Sequence, residues 1–126
     1  MLKNLWGLYP WFESHDIDKV HPDDLGKIKE EQSNTKVYEC IDEDDQYITI
    51  RYGDKTFRVK DVSFKQVPAP KFDFGEEVKL VSKDEVGIIL DILWHFDKEE
   101  HYYFIMVDGK RKSKRYFESD FEFKNA

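Results

Sequence analysis

From Lys36 onward the apolar positions of this 126-residue chain recur with a period of two. Val37, Glu39 and Ile41 alternate with Tyr38, Cys40 and Asp42, and Ile48, Ile50 and Tyr52 alternate with Tyr47, Thr49 and Arg51. That is the spacing of extended strands, with the acidic run Asp42 to Asp45 as the turn between them. Gly53-Asp54 supplies the next turn, Thr56 to Val59 a third strand, and Ser63 to Val67 a closing segment. The same order then returns. A strand begins at Gly87, another runs from Tyr103 to Val107, Asp108-Gly109 makes the turn, and Asp120 to Phe123 closes. A period of roughly 55 residues, each copy a short meander, predicts a mainly β fold of two small antiparallel β-barrel-like repeats.

The boundary falls at Pro68-Ala69-Pro70, because proline fixes the backbone and cannot join a central ladder. The predicted units are residues 1–69 and 70–126. Residues 1–35 break the strand period. Trp6, Leu8, Tyr9, Trp11 and Phe12 crowd around Gly7 and Pro10, too interrupted for a regular helix or strand. They read either as a plug for a barrel end or seam, or as an exposed aromatic patch. One short helix is predicted near residues 22–31, with Pro22 in its first turn, Asp23 and Asp24 at the positive end of its dipole, and Gly26 weakening it.

Composition narrows the classes. Aromatic residues make up 16% of the chain and hydrophobic residues 40%, enough for one compact core or two small ones. Acidic residues outnumber basic ones by 27 to 20, and the net charge of −7 disfavours steering toward nucleic acid or an anionic membrane. Neither half is basic: residues 1–69 carry 10 Lys/Arg against 14 Asp/Glu, and residues 70–126 carry 10 against 13. The single cysteine, Cys40, excludes an internal disulfide and multi-thiolate metal sites and reads as a buried residue. No signal-peptide pattern opens the chain, and no window reaches the ~18 apolar residues of a membrane span. The expectation is a cytoplasmic protein with no membrane partner.

Phe74-Gly75, Val78, Gly87-Ile88-Ile89, Ile92, the stretch Tyr103 to Val107 and Tyr116 resemble the small barrels of the Src-homology-3 type, in the KOW-like or Tudor-like variant. The resemblance implies a first strand followed by an open loop, a glycine starting the second strand, and a one-turn helix before the last. It covers residues 72–123. The first copy resembles it only from Lys36; the opening Phe-x-x-Gly element is missing and the 22–31 helix stands in its place. The start, from Trp6 to Phe12 and from His21 to Leu25, is also similar to that of small bacterial proteins, a resemblance that brings no activity with it.

Catalytic patterns are weak. The six glycines form no phosphate loop, and the serines lack a nucleophile elbow. His15 and His21, with Asp16 and Asp18, have no helical or hairpin ligand spacing, and the acidic turn lacks the glycine and distal glutamate of a calcium loop. No cofactor, metal or enzyme activity is predicted. Binding residues are easier to name. Unbroken alternation puts Asp91 and His95 on one face of a strand and Ile88, Leu90, Ile92, Trp94 and Phe96 on the other, with Trp94 in the core. A bulge would instead set Trp94 beside Tyr102 or Tyr103 at the open mouth. Lys110, Arg111, Lys112, Lys114 and Arg115 follow the Asp108-Gly109 turn as a predicted strand, with Arg111, Ser113 and Arg115 on one face and Lys112, Lys114 and Tyr116 on the other. That run is either a solvated edge that pairs with the acidic surface and blocks aggregation, or a contact for phosphate or an acidic protein. The candidate site is therefore Trp94, His95, Phe96, Tyr103, Lys110, Arg111, Lys112, Lys114, Arg115 and Tyr116. The expected function is non-enzymatic protein binding by an adaptor, regulator or toxin-neutralising protein; the alternative is a KOW-like nucleic-acid module using the 110–115 strand, with Trp94 or Tyr103 stacking a base.

Overall fold

The computed structural model describes residues 2–31 and 34–124. They form two compact units, Met1–Ala69 and Pro70–Ala126. Of the described residues 45% are strand and 19% helix of all kinds, so the protein is mainly β.

In the first unit, β1 (Trp6–Leu8) leads into α1 (Glu13–Asp16) and α2 (Leu25–Glu31), followed by β2 (Val37–Glu43), β3 (Ile48–Tyr52), β4 (Lys55–Val59) and β5 (Lys65–Val67). The antiparallel order is β4-β3-β2-β1-β5. Alternation puts Tyr38 and Cys40 of β2, Ile48, Ile50 and Tyr52 of β3, and Phe57 and Val59 of β4 into the core. The Tyr38 ring lies 5.4 Å from that of Tyr52 and edge-on to Phe57 at 6.3 Å. Gly53, at φ 62°, occupies the first of two turn positions between paired Tyr52 and Lys55, a conformation that glycine adopts without steric cost.

The amino-terminal segment differs from the expectation. Trp6–Leu8 is a strand, inserted between β2 and β5, and it supplies an opening element that the sequence reading finds missing from the first copy. Gly7 is no interruption there: it is the residue whose missing side chain lets Phe64 and the Lys65 carbonyl approach. Arg51 reaches over the Trp6 ring at 5.8 Å while bonded to Glu39, the residue paired with Trp6. Tyr9 and Trp11 are buried; Phe12 is exposed. Helix is also more extensive than one short segment. α1 precedes a 3₁₀ turn at Ile17–Lys19, and the 22–31 segment is a 3₁₀ turn, Pro22–Asp24, running into α2.

This helical insertion covers the outer edge of β4, whose backbone would otherwise be unpaired. Val20 bridges Val59, the His21 amide donates to the Arg58 carbonyl (2.9 Å), and the Lys60 amide donates to the Lys19 carbonyl (2.7 Å). Two buried carboxylates hold it. Asp16 accepts from the Phe12 amide (2.7 Å) and pairs with Lys19; that lysine, chiefly, lowers its pKa to about 2. Asp24 accepts the Arg58 amide (2.8 Å) and both arms of its guanidinium (2.8 and 3.2 Å), and the Arg58 guanidinium holds its carboxyl well below the usual range.

The second unit comprises β6 (Glu77–Leu80), β7 (Val86–His95), β8 (Glu100–Val107), β9 (Lys110–Arg111), β10 (Tyr116–Phe117) and β11 (Phe121–Phe123), in the order β10-β8-β7-β6-β11, with β9 also on β8. Phe72, Val78, Leu80, Ile89, Ile92, Tyr103, Ile105, Tyr116 and Phe121 form its core, with the Phe72 ring edge-on to Tyr103 and Phe121. A one-turn 3₁₀ helix precedes the last strand in both units, at Asp61–Ser63 and Glu118–Asp120.

Two expectations are corrected. The sheets are open, not closed barrels: no pairing joins β4 to β5, or β10 to β11, among the described residues, because each closing strand is three residues long and pairs with the opening strand alone. Unbroken alternation in β7 also fails. A bulge between Ile89 and Asp91 turns Ile88 and Leu90 out of the core and leaves Gly87, Ile89 and Ile92 inside; β2 carries the same irregularity between Cys40 and Asp42.

A Cβ at Gly7 would fall 2.6 Å from the Lys65 carbonyl oxygen, which is backbone and cannot turn away. Gly7→Ala is therefore expected to cost about 1–3 kcal/mol of stability, read by urea denaturation. Asp24 supports the fold while ionised. Its contribution is complete above the ordinary carboxylate pKa of about 4 and is lost as pH falls through the depressed folded value. Asp24→Asn is expected to lower the melting temperature at neutral pH and to flatten its fall below about pH 4.

Candidate functional site

Alternation along β8 sends His101, Tyr103, Ile105 and Val107 inward and leaves Tyr102, Phe104 and Met106 half-buried on the opposite, outward face. Register extends that face across the sheet. Tyr102 pairs with Phe117 on one side and Leu93 on the other, Phe104 faces Asp91, and Met106 lies between Arg111 and Ile88. Tyr102 is central: its ring is 6.1 Å from Phe104, 6.2 Å from Phe117 and 6.1 Å from His95, while His95 is 5.8 Å from Phe117. The His95 Nδ1 accepts the Lys98 amide (3.2 Å), which fixes the imidazole against the turn and, in the neutral ring, puts the proton on Nε2.

A cation stands at each of the three rings. The Lys98 ammonium is 4.3 Å from the centre of Phe117, the Arg111 guanidinium 4.9 Å from Phe104 and the Arg115 guanidinium 5.4 Å from Tyr102. These are cation–π distances, each worth about 0.5–1 kcal/mol at an exposed site. Arg111 also pairs with Asp91, its cross-sheet neighbour. The result is an apolar sheet surface bordered by positive charge, which offers area to a hydrophobic partner and charge to an acidic one.

The sequence-derived candidates divide by burial. His95, Arg111 and Arg115 belong to the face, and both arginines lie over outward rings. Trp94 shares the Ile92 side, half-buried and edge-on to His101 at 5.0 Å. Phe96, Lys110 and Lys114 are exposed; Lys112 is half-buried, with its amide bonded to the Ile105 carbonyl. Tyr103 and Tyr116 are core residues, 0% and 5% exposed, so neither presents a ring to a ligand. The Tyr103 hydroxyl instead donates to Glu118 (2.6 Å), and that carboxylate also accepts the Lys71 amide. The predicted basic strand is shorter than expected: only Lys110–Arg111 pairs, and residues 112–115 leave the ladder before it resumes at Tyr116. Leu93, Lys98, Phe104, Met106 and Phe117 were missed. Their signal was the alternation of β8 itself, masked because Tyr, Phe, Ile and Met occupy both of its faces.

His15 and His21 have structural roles. His15 pairs with Asp16, and the His21 Nδ1 caps the Pro22–Asp24 turn by accepting the Asp23 amide. Among the described residues, no three His, Cys, Asp or Glu side chains gather as a metal site, and no helix is long and apolar enough to cross a membrane.

A family match extends over residues 1–122, through both units and across the whole face. The chain belongs to the family of unknown function DUF6960. No curated protein and no solved structure matches it.

Tyr103→Phe removes the bond to Glu118 while leaving the outward face intact. It is expected to cost about 1.5 kcal/mol in chemical denaturation, with ¹³C shifts of the Tyr102, Phe104 and Phe117 rings unchanged.

Proposed function

We propose that the protein is a non-enzymatic binding module that recognises another protein through the outward face of residues 70–126 and its cationic border. One observation carries this reading. In a chain of net charge −7, Lys98, Lys110, Lys112, Lys114 and Arg115 form no ion pair among the described residues. In the first unit seven of the ten cations, among them Lys19, Lys27, Lys36, Lys55 and Arg58, pair with carboxylates, and among the described residues Lys3, Lys60 and Lys65 do not. Lys98, Lys110, Lys112, Lys114 and Arg115 remain available to an acidic surface, and the three rings beside them supply buried area at low entropic cost.

An adaptor, a regulator or a neutralising partner of another cytoplasmic protein fits this face. Each unit is read as a small β-barrel-like module of the Src-homology-3 type. In support, both sheets share the order fourth-third-second-first-fifth, with a one-turn helix before the fifth strand. Nucleic acid is the second reading, favoured by the guanidinium-covered rings and opposed by the overall charge.

Titration with labelled single- and double-stranded oligonucleotides near physiological salt separates the two. The protein reading expects no binding tighter than the ~10⁻⁴–10⁻⁶ M of nonspecific association; tighter binding overturns it. With a purified protein partner, Tyr102→Ala together with Phe117→Ala is expected to cost about 2 kcal/mol or more. Lys110→Gln with Lys112→Gln and Lys114→Gln should chiefly slow association.

A further inference from the structure

The two units treat one position of their shared pattern differently. The β3–β4 pairs Tyr52 with Lys55 and Ile48 with Val59 correspond, across the two-residue turns, to Val107 with Lys110 and Tyr103 with Tyr116. Arg58, immediately before Val59, therefore matches Arg115, immediately before Tyr116. In the first unit that arginine is a receptor for a carboxylate. Asp24, at the end of the Pro22–Asp24 turn, sits on the Arg58 amide and its guanidinium fork together, while Val20 and His21 before that turn run extended along the strand edge. Among the described residues of the second unit no segment pairs along this edge. Arg115 is exposed, and among the described residues neither its amide nor its guanidinium meets a carboxylate; the guanidinium rests on Tyr102. Three exposed residues, 113–115, stand between Lys112, bonded to Ile105, and Tyr116, paired with Tyr103, where Arg58 alone stands between Phe57 and Val59. The next donor, the Phe117 amide, is closed by Asp120 at 2.8 Å, so a full added strand is excluded and the open element is the Arg115 corner itself.

We infer that the 112–115 edge receives an extended acidic segment of a partner protein, one carboxylate of which takes on Arg115 the place that Asp24 takes on Arg58. Lys112 and Lys114 add charge complementarity, and the bidentate fork gives the preference for a carboxylate held in plane. This rests on the protein-binding reading and assigns it a partner chemistry: Asp- or Glu-bearing, extended, and free of the helical structure that follows Asp24 in the chain's own insertion.

The probe is a synthetic peptide with the His21–Leu25 sequence, titrated into the ¹⁵N-labelled full-length protein, with an Asp-to-Asn version of the peptide as control. Saturable shifts of the 112–117 amides and of the Arg115 Nε–H are expected, absent with the control. Arg115→Ala should weaken binding at least about tenfold, as loss of a charge-assisted pair requires, and Arg115→Lys should recover only part of it. Equal response to both peptides, no response in the millimolar range, or insensitivity to Arg115→Ala overturns the inference. So does an oligonucleotide that shifts the same amides at lower concentration than the peptide, since phosphate would then be the natural occupant. A null result with the peptide leaves the Tyr102–Phe117 measurement untouched, so failure at this corner is separable from failure of the face.

Discussion

In each unit the opening strand lies between the second strand and the last. β1 holds β2 on one side and β5 on the other; β6 holds β7 and β11 in the same way. That constraint places the first and last strands of each unit side by side at one end of the sheet order and sends the fourth strand to the opposite margin. A margin strand carries backbone groups with no ladder partner, and a protein has to satisfy or shield them. The first unit does this by folding the chain between β1 and β2 back over β4. The second closes one amide with Asp120 and surrounds the remainder with lysine and arginine. The two units thus differ in how one edge is finished, covered by the chain's own insertion in the first and bordered by cations in the second.

Much of this was legible in the sequence. Strict alternation located β2, β3 and β4, and Gly53 and Asp108-Gly109 marked the hairpin turns because positive φ at those positions favours such residues. β1 was not legible. Three residues span barely more than one period, and Gly7 and Pro10 have the look of breakers; only the packed structure shows that Phe64 needs the space that Gly7 leaves. The bulges were hidden for another reason. An extra residue such as Leu90 is as apolar as the core residues Ile89 and Ile92 on either side of the bulge, so the hydrophobic character of the stretch does not change while the direction of its side chains does.

The candidate face follows the same division. The cluster from Lys110 to Arg115 is visible in any reading of the chain, but not the placement of Arg111 and Arg115 over outward rings, which depends on cross-strand register. Tyr103 and Tyr102 illustrate the difficulty: adjacent tyrosines of one strand, one sealed in the core with its hydroxyl on Glu118, the other on the surface under a guanidinium. Composition is blind to that choice. It is made by the inward neighbours Ile92 and Tyr116, which register against Tyr103 and leave Tyr102 the opposite side.

The three indoles divide unevenly between the units, and this gives the molecule two built-in optical reporters. Trp6 and Trp11 lie in the first unit, buried, with the Trp11 ring nitrogen donating to the Asp16 carbonyl; Trp94 lies alone in the second, half-buried against His101. The surroundings of Trp11 depend on the helical insertion staying docked, and those of Trp94, edge-on to His101, depend on β7 and β8 staying paired. A single fluorescence trace thus contains two separable signals, one for each unit's integrity, without any label being attached.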